Sequence, residues 1–296
     1  IVRMGQFICN SHIAGEYFIN FADGSARPAV DGALLYRYGK RTGNETLASF
    51  GALFRTDEAP MGAPRRALAD MFAYSDFHAQ RGKAPLPAAV WMDGVQVFAA
   101  RTHAGREDGL YIAAKGGHND ESHNHNDVGS CIVYKDGKPV LIDIGVETYT
   151  KKTFSAERYS IWTMRSAYHN LPIVDGFEQA AGLQYAARDV AYVHEGANTT
   201  FSLDISSAYP QEPGIHAWKR AYSFDGKTAV IEDAFDFAGR ARTVELVFMT
   251  AEKPEIRDGL VHIGTFAVLC PPGGLEIMVE SCPITDGKLL QELGGC

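Results

Sequence analysis

The sequence predicts an α+β chain in which an all-α piece precedes an antiparallel β-sandwich, and three observations lead there. Up to about Arg81 the apolar residues recur at helical spacing, whereas from Ala89 onward they fall in short or alternating runs bounded by turn residues. Asp-Gly pairs join several of those runs, and no β-α-β alternation, internal repeat or low-complexity tract interrupts the order.

In the first part, Leu47, Phe50, Leu53 and Phe54 mark one apolar helix face, and Leu68, Met71 and Phe72 mark another. Asn44 precedes the first as a helix cap, and Pro64 suits the first turn of the second. The Gly-, Pro- and Asp-rich stretch EYFINFADGSARPAVDG reads as a long connection. Gln80 to Ala89, QRGKAPLPAA, is linker-like and divides the chain into residues 1–85 and 86–296. Beyond it, VWMDGVQVFAA, LYIAA, SCIVY, PVLIDIG, TFSLDI, TAVIEDAF and TVELVFM read as strands. Asp93-Gly94, Asp136-Gly137, Asp225-Gly226 and Asp258-Gly259 accept the positive φ angles of tight hairpins, so the sheets should be antiparallel.

The 296 residues carry 28 Lys+Arg against 36 Asp+Glu, a net charge of −8, with 46% hydrophobic and 22% charged residues. That is a globular composition, and an acidic chain without a basic tract makes a poor nucleic-acid surface. No apolar run approaches the roughly 18 to 20 residues that span a bilayer. Cys9, Cys131, Cys270, Cys282 and Cys296 are scattered, odd in number and without C-x-x-C spacing, so they read as free thiols rather than a disulfide or zinc framework. The first residues, IVRMGQFICNSH, have no features of a signal peptide. The sequence reads as a chain entered midway, and it does not give localisation or oligomeric state.

The densest polar cluster is KGGHNDESHNHNDVGS, Lys115 to Ser130, which a hydrophobic core has no use for. If that stretch is extended, His123, His125 and Asp127 point to one side, and any two of them could share one ion or one substrate. Asp143, inside the apolar run VLIDIG, should meet a cation or a metal, because an unpaired carboxylate there is costly to desolvate. His169 in SAYHNLP is a further candidate ligand, and two imidazoles with one carboxylate suit Zn²⁺. The plainer alternative is a hydrogen-bonded cluster of surface His and Asn. A third alternative takes His125-Asn126-Asp127 with His169 as the H-x-D…H triad of iron(II) oxygenases, although NLPIVDGFEQ after His169 lacks the expected Arg. Between Gly145 and Tyr168, Lys151, Lys152, Arg158 and Arg165 outnumber Glu147 and Glu157 and alternate with Tyr149, Tyr159 and Trp162. Such a segment suits an anionic sugar, with cations for carboxylate or sulfate and rings for pyranose faces.

The run ESHNHNDVGSCIVYKDGKPVLIDIGVETYT followed by RYSIWTMRSAYHNLPIVDG resembles the heparinase II/III-like polysaccharide lyases, most closely from Lys115 to Gly182. The resemblance implies the C-terminal helices of an (α/α) toroid in residues 1–85 and an antiparallel β-sandwich domain in residues 86–296. It implies a structural zinc on His125, Asp143 and His169, a catalytic His123, and substrate contacts from Arg158 and Tyr159. The residues alone do not separate the roles of His123 and His125. The implied reaction is β-elimination on a uronic-acid-containing anionic polysaccharide by a periplasmic or secreted enzyme. Family members also use a toroid tyrosine in a stretch like D-E-G-x-x-Y-W. No such stretch occurs here, and Tyr17 belongs to a later part of the pattern, so the chain is expected to be the C-terminal part of a lyase. A non-catalytic carbohydrate-binding sandwich is the alternative that this departure favours.

Overall fold

The computed structural model describes residues 2–56, 64–239, 243–265 and 267–293. Its first part is helical. Val2–Ser11 leads into a small hairpin, His12–Ala14 with Tyr17–Phe18, and then come the helices Gly32–Thr42, Glu45–Gly51 and Pro64–Ala79. Asn44 caps as expected, its side chain accepting from the Leu47 amide, while Gly43 ends the preceding helix in the left-handed conformation. The helices on either side of that turn touch backbone to backbone: a Cβ on Gly39 would lie 2.5 Å from the Ala48 nitrogen.

Leu47 and Phe50 are buried with Cys9 and Phe18, as their spacing predicts, but Leu53 is exposed. The second expected face is corrected outright. Leu68 is 57% exposed, Met71 72% and Phe72 90%, because Pro64–Ala79 packs through Phe77 and Ala73 against Tyr36, Ala48 and Ala52. None of the described residues covers its other side.

From Ala89 the chain is built of antiparallel sheets. A five-stranded sheet runs in the order Ala89–Met92, Val97–Arg101, Leu110–Lys115, Cys131–Lys135, Lys138–Leu141, and a four-stranded sheet joins Arg188–Glu195, Asn198–Asp204, Ile215–Phe224 and Ala229–Phe237. Side-chain alternation builds two cores. Phe98, Ile112, Cys131 and Val133 face Phe201, Leu203, Trp218 and Tyr222 of the second sheet. Ala99, Tyr111, Ile132 and Tyr134 face the opposite way, onto Ile13 and Ala14 of the N-terminal hairpin. With both faces covered, the central strands read as continuous apolar runs.

All four Asp-Gly pairs lie between antiparallel neighbours. At Asp136-Gly137 and Asp258-Gly259 both residues have positive φ; in the first hairpin that conformation falls on Gln96 instead of Gly94. Cys9, Cys131, Cys270 and Cys282 are free thiols, as expected, and Cys296 lies outside the described residues. No helix among the described residues is long and apolar enough to cross a membrane.

Two consequences of this topology position the polar residues. The segment 116–130 joins neighbouring central strands, and the segment 142–170 leaves the edge strand where Leu141 pairs with Val133. Both therefore emerge at the same end of the five-stranded sheet.

Candidate active site and metal centre

The segment 116–130 is irregular, but it is held firmly. Gln179 accepts from the Val128 amide at 3.1 Å and donates to the Val128 carbonyl at 2.7 Å. Asn170 does the same for the other segment, donating to the carbonyls of Cys131 and Ile142 and accepting from the Met249 amide. Arg220 of the second sheet, paired with Asp233, donates to the carbonyls of Gly129 and Asn170. These buried amides and the guanidinium fix the backbone from which His125 and His169 project.

His125, Asp143 and His169 are fully buried, and each offers a ligand atom within 4.8 Å of the others, the one such group among the described residues. Asp143 accepts from the Gly145 amide at 3.0 Å and lies 3.1 Å from His169 Nδ1. It sits just beyond the strand Lys138–Leu141, where the expected strand run has already ended. His125 Nδ1 and His169 Nε2 are buried without a hydrogen bond among the described residues. Bare buried imidazole nitrogens beside a carboxylate are what a metal ion requires, so the donor set fits one.

Electrostatics agree with that reading. Burial pushes the Asp143 carboxyl up, but His169, His125 and the Gly145 amide bring it below the usual carboxylate range. Burial holds the His125 imidazole below its ordinary value despite Asp23 beside it. Burial also opposes charging of His169, yet Asp143 raises it overall.

The expectation that His123, His125 and Asp127 share one side is corrected. The stretch is not a strand, and His123 adopts a positive φ of 59°, which breaks the alternation. Asp127 is completely buried against Lys115, 2.7 Å from its ammonium, and accepts from the Ala22 amide. Already neutralised, Asp127 is not in the His125–Asp143–His169 group, which removes the H-x-D…H iron triad.

His123 and His125 do share a partner, but it is a carboxylate that the sequence reading passed over. Asp23, in the middle of the long connection, has Oδ1 2.9 Å from His125 Nε2 and 2.8 Å from Arg158 Nη2, and Oδ2 2.9 Å from both His123 Nδ1 and the Tyr149 hydroxyl. Burial raises the Asp23 carboxyl, but His125, His123 and Tyr149 together bring it far below the carboxylate range. Burial and Asp23 push the Tyr149 phenol up to about 12. The only signal in the sequence was a lone carboxylate beside glycine in FADG, which nothing local distinguishes from a turn residue.

The side chain of His123 is 50% exposed, with the Phe154 ring edge-on at 5.4 Å. Arg158 is buried and spends its guanidinium on Asp23 and on the carbonyls of Asn124 and Thr153. Tyr159 is half-buried; its hydroxyl accepts from Asn124 at 3.0 Å and has no acceptor for its own proton among the described residues. Arg165 is paired with Glu178 and Trp162 with Glu147, so the exposed cations of the segment are Lys151 and Lys152. A cavity of about 310 Å³ opens beneath it, lined by Glu147, Lys152 and Trp162 among others.

A family described as heparinase II/III-like, C-terminal, matches residues 94–273. No curated protein matches the chain. Among solved structures, the chain is similar to "Heparinase III-BT4657 gene product", with a TM-score of 0.64 and 17% identity, covering 88% of this chain and 36% of that one. It is also similar to heparan sulfate lyase HepC from Pedobacter heparinus, with a TM-score of 0.60 and 14% identity over 84% of this chain and 36% of that one. A third, "Crystal Structure of Heparinase III", has a TM-score of 0.59 and 16% identity, over 87% and 38%. These likenesses are of fold, and the chain spans little more than a third of each relative.

Proposed function

We propose, on the premise that the chain belongs to the heparinase II/III-like, C-terminal family, that it is the C-terminal part of a lyase acting on a uronate-containing anionic polysaccharide, heparan sulfate- or alginate-like, by β-elimination. One observation carries the reading: a buried His125–Asp143–His169 group lies beside a half-exposed His123, and a single carboxylate touches both. In this reading residues 1–85 are the last helices of an (α/α) toroid and residues 86–296 a β-sandwich domain. The exposed face of Leu68, Met71 and Phe72 is where further toroid helices would pack.

The ion is Zn²⁺, held by His125, Asp143 and His169; when bound it cross-links the segments 116–130 and 142–170 without touching substrate. His123 removes the C5 proton of the uronate, a task for which an imidazole is suited near neutral pH. The Tyr159 hydroxyl, whose proton is uncommitted, and the exposed Lys151 and Lys152 meet the sugar's carboxylate or sulfate groups. Arg158 serves the substrate indirectly, by holding Asp23. The acid that protonates the departing O4 is the toroid tyrosine that family resemblance implies. A polymer of this size places the enzyme in the periplasm or outside the cell.

The test is an assay of the full-length lyase, toroid included, on heparan sulfate, alginate and chondroitin, following the ultraviolet absorbance of the unsaturated uronate. Activity on one of them, lowered by about 10³-fold but still measurable in His123→Ala with zinc retained, is the expected result. A zinc-loaded enzyme inactive on all of them would leave a non-catalytic carbohydrate-binding domain.

A further inference from the structure

Asp23 is the group whose geometry the functional reading has not used up. It is nearly buried, and its two oxygens receive four donors from the segments 116–130 and 142–170: His125 and Arg158 on Oδ1, His123 and Tyr149 on Oδ2. An ionised carboxylate only accepts hydrogen bonds, so each imidazole nitrogen facing it must carry a hydrogen. For His123 that nitrogen is Nδ1, which leaves the lone pair on Nε2, on the far edge of a half-exposed ring. For His125 it is Nε2, which leaves the lone pair on Nδ1, the nitrogen that is buried and bare.

We propose that Asp23 is a positioning residue that fixes both tautomers at once, aiming the basic nitrogen of His123 outward at the substrate and that of His125 inward at the metal. The logic is that of a carboxylate that orients a catalytic imidazole without taking its proton. Here the same carboxylate also backs a metal ligand, so the order of the metal site and the aim of His123 are coupled through one side chain. Arg158 and Tyr149 hold Asp23 in place, the first through an obligate donor and the second through a hydroxyl.

Asp23→Asn discriminates sharply. The Arg158 guanidinium cannot accept a hydrogen bond, so the amide oxygen must stay on its side, toward His125, and the amide NH₂ must turn toward His123 and Tyr149. His123 Nδ1, which also lies 3.2 Å from the Tyr149 hydroxyl, then faces an N–H where it faced an oxygen, and its hydrogen is expected to move to Nε2. The inference rests on the lyase reading for its catalytic consequence but not for the tautomers, so two measurements separate them.

The first is ¹⁵N NMR of histidine-labelled, zinc-loaded chain at pH 8. Wild type should carry the His123 hydrogen on Nδ1, and Asp23→Asn should move it to Nε2 with zinc still bound. A wild-type Nε2–H tautomer overturns the inference without recourse to any variant, and so does an unchanged tautomer in Asp23→Asn. The second is kinetics of the full-length lyase. Asp23→Asn should lower kcat by about 10²-fold or more with KM little changed, and should cost almost nothing further in a His123→Ala background. An equal loss in both backgrounds would make Asp23 merely structural and overturn the proposal. Tautomers that behave as described in an enzyme that cleaves no uronate polymer would support the positioning role and sink the lyase reading alone.

Discussion

Lys115 and Asp127 bury opposite charges 2.7 Å apart inside the segment that carries the site histidines, with Glu121 3.2 Å from the same ammonium. Burial lowers the Lys115 ammonium, but Asp127 and Glu121 beside it more than restore it. Removing one partner strands the other: Lys115→Met should cost about 3–5 kcal/mol in urea unfolding, far more than an exposed lysine would. The His169→Ala variant tests the metal group directly. Elemental analysis of protein purified without added metal should find close to one zinc per wild-type chain and none in the variant; little metal in folded wild type would end the zinc assignment. At this scale the residues disclosed Asp143, a carboxylate in an apolar run, and His169 as candidate ligands but left His123 and His125 unseparated, and only the family resemblance implied the set His125, Asp143 and His169. The sequence did not disclose Asp23, because the partners that define Asp23 lie about a hundred or more residues away.

Elements follow local rules wherever their partners are present. The two-residue hairpin at Asp136-Gly137 has φ of 50° and 74°, and a Cβ at Gly137 would approach the Ala14 Cβ to 3.3 Å. Gly137→Ala should therefore destabilise by about 1–2 kcal/mol, measured by urea unfolding, since the left-handed conformation penalises any Cβ. The helix Pro64–Ala79 shows the limit of periodicity. Its pattern identifies a helix but not which apolar side is covered, and the covered side holds Phe77 rather than Phe72. Phe77→Ala is expected to cost about 3–5 kcal/mol and Phe72→Ser less than about 0.5 kcal/mol in this chain; comparable losses would mean that the exposed face is occupied in solution.

For the whole molecule, the buried titratable groups predict a pH dependence whose sign can be worked out for metal-free chain. The Asp23 and Asp143 carboxyls are lowered by folding, so their stabilisation is complete above the unfolded value of about 3.9 and is lost as pH falls through the folded values. His125, also lowered, adds to the acid sensitivity, because the unfolded imidazole begins to take up protons at about pH 6.5. His169 acts the other way: its folded value is raised, so its contribution is present below about pH 6.5 and fades as pH rises through the folded value. The urea midpoint of metal-stripped chain should thus fall between pH 7 and pH 3. The extra stability given by zinc should vanish by about pH 5, where protons compete for the imidazole ligands. A zinc increment unchanged at that pH would show that the ion is held elsewhere.

The order of helices then antiparallel strands, the Asn44 cap, the Asp-Gly hairpins and the family were determined by the sequence alone, because each depends on residues close together in the chain. Side-chain alternation, capping and turn chemistry are local, and a motif such as HNHND keeps its spacing without reference to the fold. The tertiary structure decided what those residues meet. It put Asp127 on Lys115 instead of on a metal, turned Arg158 inward to Asp23, and brought Asp23 from an irregular connection to the midpoint between His123 and His125. Those outcomes come from two segments leaving the same end of one sheet while a third is laid over them through Asn20 and Ala22, which contact Asp143 and Asp127. No local pattern encodes such a meeting; it is fixed only when burial requires every charge to find its partner.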